Sequence, residues 1–170
     1  MRTKFLLISF LFVAIFFIGC DEDSPTETVE SENYIAISGD LNDKFDALTF
    51  AGMQSSDTLS GFTVVMQRME GDAFASNYLT LAKITNELPT VGKYNIGVDI
   101  ESGEDFIGVY FYNDSTFYVM YSGIVEITKS SKTNISGKFN LKGSIFEYDT
   151  PNLDRTVDVK GQFKTIPIEF

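Results

Sequence analysis

From Tyr34 onward, apolar and polar side chains alternate in short runs that Gly, Asn, Asp and Pro interrupt, and no helical period is sustained. The alternation predicts strands over 33–41, 44–53, 61–69, 77–85, 93–100, 106–112, 116–122, 124–128, 135–146 and 156–166. Tyr94, Ile96, Val98 and Ile100 share one face of the fifth run, and Val157, Val159 and Phe163 one face of the last. The strongest hairpin joins 106–112 to 116–122 across Asn113-Asp114-Ser115. Both of its strands carry large side chains on both faces, which predicts a place near the centre of a packed sheet. Pro167 suits an edge, where no ladder donor is required.

About nine or ten strands at near-regular spacing make the fold class all-β. The preferred architecture is an antiparallel β-sandwich, with a closed or partly open β-barrel as the alternative. Gly39, Gly137, Gly143 and Gly161 fall inside strand-like runs and predict bulges or tight curvature.

The first 33 residues follow another rule. Arg2 and Lys4 precede an apolar stretch, Phe5 to Ile18, broken only by Ser9. As a helix this stretch is roughly 21 Å long, short of the ~30 Å hydrocarbon core of a bilayer. A charged start, a short apolar run and a small residue before Cys20 describe a secretory signal peptide. Residues 21–32 then hold six acids, no base and one large apolar side chain, Val29. Such a segment cannot bury enough to offset its ordering entropy, which predicts a disordered acidic tether. The chain thus divides into a leader at 1–19, Cys20 with its tether at 20–32, and an all-β domain at 33–170.

Charge and composition exclude several functions. The chain has 24 acidic and 13 basic residues, a net charge of −11, and loss of Arg2 and Lys4 with the leader makes the remainder more acidic. Such a chain repels phosphate backbones, so nucleic acid is not an expected partner. Cys20 is the only cysteine, so no disulfide within the chain and no cysteine-based zinc site can form. Histidine is absent, which removes the commonest general base, the commonest metal ligand and every Ser-His-Asp or Cys-His arrangement. The acids sit mainly in turns and the tether, and the chain reads as non-enzymatic, with no cofactor.

Phe17-Ile18-Gly19-Cys20 resembles the lipobox of bacterial prolipoproteins, with Phe17 in place of the usual Leu. The resemblance implies a diacylglyceryl group on the Cys20 thiol and a further acyl chain on its freed amine. Two or more chains make a stable anchor at about 0.8 kcal/mol per buried methylene. Asp21-Glu22-Asp23 is similar to the acidic export signal that follows the cysteine in Bacteroidota lipoproteins. The segments Ile37-Ser38-Gly39-Asp40, 122–128, 135–139 and 159–163 resemble small lipoproteins of that group. The implied address is the bacterial outer membrane, through covalent lipid; the resemblance says nothing about a ligand, and a glycan or an envelope protein is the open expectation for a partner.

Three side-chain groups are candidates for binding or modification. Tyr110, Tyr112, Tyr118 and Tyr121 lie in the densest aromatic stretch, and stacked tyrosines on one solvent-facing side suit a glycan or apolar ligand. Asp99, Glu101, Glu104 and Asp105 form the best oxygen-ligand cluster, without the spacing of a calcium-binding helix-loop-helix loop. Asp57-Thr58-Leu59 and Asp114-Ser115-Thr116 resemble the O-glycosylation acceptor pattern of Bacteroidota envelope proteins, which points to Thr58 and Ser115.

Overall fold

A computed structural model describes residues 32–55, 60–97, 105–147 and 150–169, all within the unit Ser31–Phe170. Ten strands follow in order: β1 (Tyr34–Gly39), β2 (Asp43–Ser55), β3 (Ser60–Glu70), β4 (Ala73–Ile84), β5 (Gly92–Asn95), β6 (Ile107–Asn113), β7 (Thr116–Ser131), β8 (Asn134–Glu147), β9 (Thr150–Thr165) and β10 (Pro167–Glu169). The all-β reading holds, but the architecture is the alternative one. The strands run β1-β9-β8-β7-β6-β4-β3-β2, and β1 pairs antiparallel with β2 as well as with β9. The sheet therefore closes on itself as an eight-stranded antiparallel barrel, not a sandwich. Closure removes the open edges that a sandwich leaves unpaired.

The two remaining strands each extend a stave. β5 pairs with β7 at Ile124–Ile127, while β6 pairs with β7 at Thr116–Met120, so the two occupy successive lengths of one edge. Gly97 N–H donates to Phe106 O and Phe106 N–H to Asn95 O, stitching β5 to β6 across the excursion between them. On the far side, β1 covers β2 at Asp43–Asp46, and β10 lies parallel to it at Ala51–Met53. Pro167 opens this short strand, as its missing donor permits.

The predicted runs 116–122 and 124–128 are one strand, β7, of 16 residues. Gly123 adopts φ +130°, and the pairing with β8 slips between Met120 and Ser122. The break in alternation there is a bulge that bends a continuous strand around the barrel. Turn chemistry sets the register elsewhere. Asn113 Oδ1 accepts from Ser115 N–H at 3.0 Å in the β6–β7 turn, and Ser131 Oγ accepts from Asn134 N–H at 3.1 Å in the β7–β8 turn.

The inward positions are apolar, and they fill the barrel. Phe62, Leu79, Leu81, Phe106, Tyr110, Tyr118, Met120 and Ile127 are wholly buried. A barrel of eight strands is just wide enough for side chains to fill it. Gly137, Gly143 and Gly161 make room for the largest: a Cβ at these positions would meet Phe163, Met120 and Phe139 at 2.6–2.7 Å. Each lends space to the side chain registered beside it on the neighbouring strand, and Gly143 and Gly137 also stand opposite the two register shifts of β7, at Met120/Ser122 and Ile127/Lys129. Each fully buried large side chain contributes about 1.5–3 kcal/mol relative to exposure.

Candidate functional site

Antiparallel meandering puts the β1–β2, β3–β4, β6–β7 and β8–β9 connections at one end of the barrel. Buried tyrosines close this end. Tyr118 donates to Asp40 Oδ2 at 2.7 Å, and Arg155 donates to the same oxygen from Nε at 3.1 Å and Nη2 at 3.0 Å. The Tyr118 bond, with Arg155 adding to it, holds the Asp40 carboxyl below its usual range. Burial, then the bond to Asp40, pushes the Tyr118 phenol up to about 12. Beside it, Arg68 pairs with Asp43 at 2.6 Å and lies over the Phe45 ring. Among the described residues the Tyr110 hydroxyl makes no hydrogen bond within geometric limits. Burial pushes its phenol up as well, although Asn77 is close enough to lower it against that burial. The Asp40 cluster ties β1, β7 and β9 together, and the ion pairs at this end remain part-exposed.

The four candidate tyrosines do not share a surface. Tyr110 and Tyr118 are wholly buried, Tyr112 stands at the turn with 39% exposure, and Tyr121 is half-buried on the outside of β7. The stretch alternates across the barrel wall, so Tyr110 and Tyr118 are core, not ligand platforms. Ser115 is exposed at the β6–β7 turn, its hydroxyl donating to Asn113 Oδ1 at 3.1 Å. Asp105 lies next to β6. Cys20, Thr58, Asp99, Glu101 and Glu104 lie outside the described residues.

The opposite end carries a cleft of about 620 Å³ that the sequence pattern does not reveal. Met53 from β2, Leu88 and Val91 from the β4–β5 connection and Ile168 from β10 form its apolar lining. Ser130, Ser131 and Lys132 from the end of β7 and its turn supply polar groups. Val91 and Ile168 are 64% and 42% exposed. An apolar concavity with a few convergent polar groups is the usual form of a small-ligand site. Its walls come from four segments that meet only when the barrel closes and β10 docks on β2.

The outer surface is two-sided. Across β2, β3, β4, β6 and β7, Leu48, Gln67, Tyr78, Phe111 and Phe117 fall in one registered row. Phe50, Val65, Thr80, Val109 and Val119 fall in the next, and neither row holds a charge. Tyr78 stacks on Phe111 at 4.4 Å, while Leu48, Phe50 and Phe117 are 38–42% exposed. The other side, formed by β1, β9, β8 and β5, carries five of the nine lysines among the described residues. Comparison with known proteins adds no neighbour: no family model, curated protein or solved structure matches the chain.

Proposed function

We propose that this chain is a lipid-anchored, non-enzymatic binding module of the bacterial outer membrane that takes a small, largely apolar ligand in the cleft at the end of its barrel. The observation that carries the reading is the contrast between a side-chain-filled interior and an apolar cleft outside it. A filled barrel leaves no central seat for a ligand, so binding falls to its end and outer faces. The leader and the lipobox-like Phe17-Ile18-Gly19-Cys20 support the anchor, and the absence of histidine supports a binding rather than a catalytic role.

Two measurements test it. Anilinonaphthalene sulfonate, an apolar fluorophore with one anionic group, is expected to bind the wild-type cleft and lose affinity in Val91→Asp and Ile168→Asp. Equal binding by all three chains sinks the cleft reading. For the anchor, metabolic labelling with a fatty acid is expected to mark the wild type and not Cys20→Ala. A labelled, membrane-bound Cys20→Ala chain sinks that part separately.

The charge-free outer face favours a second reading, an accessory lipoprotein that contacts an envelope complex and has no small ligand. A contiguous apolar patch is a mark of interaction surfaces.

A further inference from the structure

The lysine-rich side of the barrel holds a groove distinct from the end cleft. Strand register sets its walls. Lys93 on β5 lies beside Glu126 on β7, Glu126 beside Lys138 on β8, and Lys138 beside Gln162 on β9. In the adjacent row Ile124, Asn140 and Lys160 lie side by side. Neighbouring strands are ~4.8 Å apart and successive outward positions on one strand ~6.8 Å apart. These side chains therefore surround one shallow groove, of about 460 Å³.

Its charge balance runs against that of the chain. Glu126 pairs with Lys138 at 3.4 Å. Among the described residues Lys93 and Lys160 have no ion-pair partner, whereas the flanking Lys142 and Lys164 pair with Asp158 and Glu32. The groove is thus locally positive in a chain of net charge −11. Solubility does not explain it, since acidic side chains already serve that end. Local positive charge on an acidic protein concentrates anions there.

We infer that this groove binds an acidic polysaccharide bearing carboxylates on its sugar rings. Lys93, Lys138 and Lys160 supply point charges for the carboxylates. The Asn140 side-chain amide, with both donors and an acceptor, matches a sugar hydroxyl. Ile124, 38% exposed, offers an apolar surface to the C–H face of a ring. An acidic polypeptide lacks the hydroxyl array that would use Asn140, and a nucleic acid meets the repulsion of the whole chain at its higher charge density.

The test is affinity electrophoresis of the full chain in non-ionic detergent through gels containing polygalacturonate, with neutral dextran and polyglutamate as comparisons. Polygalacturonate is expected to retard the wild type, dextran not at all and polyglutamate weakly. Lys93→Gln with Lys160→Gln is expected to weaken retardation about tenfold or more, equivalent to ~1.4 kcal/mol. Asn140→Ala is expected to weaken polygalacturonate binding without changing that of polyglutamate. Lys83→Gln, which removes a positive charge outside the groove, is expected to be retarded, relative to its own mobility in a gel without polysaccharide, as much as the wild type is, and unchanged melting curves check the fold of each variant. Absence of retardation, or equal retardation of the wild type and the double variant, overturns the proposal. Polyglutamate binding as strong as that of polygalacturonate and indifferent to Asn140→Ala assigns the groove to an acidic polypeptide instead and overturns it equally.

Discussion

Tyr110 and Tyr118 face each other across the β6–β7 pair with ring centroids 6.5 Å apart, yet their hydroxyls have opposite fates. Tyr118 donates a hydrogen bond to Asp40, while the Tyr110 hydroxyl is buried and, among the described residues, unbonded. A buried hydroxyl without a partner costs about 1–3 kcal/mol, and removing it relieves that cost. Tyr110→Phe is therefore expected to stabilise the barrel by about 1 kcal/mol, whereas Tyr118→Phe is expected to destabilise it; urea midpoints at pH 7 compare the two. The pH dependence follows from the same bond. The Tyr118 phenol is raised in the folded state to about 12, so its contribution is complete below an unfolded-state value of about 10 and is lost as pH rises through the folded one. The Asp40 carboxyl is lowered, so its contribution is present above its unfolded value and is lost as pH falls through the folded one. Tyr118→Phe is expected to flatten the alkaline loss between about pH 10 and 12. An unchanged alkaline limb would show that this phenol does not carry it.

At the scale of elements, most strands are legible because alternation with period two is a local property, readable within a few residues. Two features escape it. The bulge at Tyr121, followed closely by the positive-φ Gly123, makes one strand look like two, because a single extra residue reverses the alternation in sequence while the ladder continues on both sides. β10 escapes because three residues carry too little pattern, and its pairing with β2 joins positions more than 110 apart in the chain. Gly123→Ala tests the bulge. A Cβ there would lie 2.3 Å from Asn140 O at φ +130°, a backbone conformation open to glycine almost alone. The substitution is expected to cost about 2–3 kcal/mol, measured by denaturant unfolding. A loss below half a kcal/mol, about the level of an inert surface change, would mean the bulge is free to relax.

For the whole molecule, the two-sided apolarity of β6 and β7 is instructive. In the sequence it reads as burial on both faces of a packed sheet. In the barrel only the inner face is covered, and Phe111 and Phe117 point outward into a face without charge. The exposed part of that face is expected to tolerate charge without unfolding: Leu48→Lys with Phe50→Lys should change stability by no more than about 1 kcal/mol. If the face contacts an envelope protein, the same double variant should lose the crosslinked partner that the wild type captures on membranes. A wild-type crosslinking pattern that survives the double substitution removes the face from consideration.

The sequence by itself determined the strand composition, the central hairpin, the exclusion of histidine- and cysteine-based chemistry, and the expectation of a leader ending before Cys20. Each of these depends on residue identity or on neighbours a few positions apart. Only the tertiary structure decided between sandwich and barrel, since both bury one face of every strand and differ in whether β1 pairs with β2 as well as with β9. Closure also placed Tyr110 and Tyr118 inside, brought four distant segments around the end cleft, and set Lys93, Lys138 and Lys160 about one groove. Those placements rest on hydrogen-bond register between strands far apart in the chain, which the alternation within any one strand does not encode.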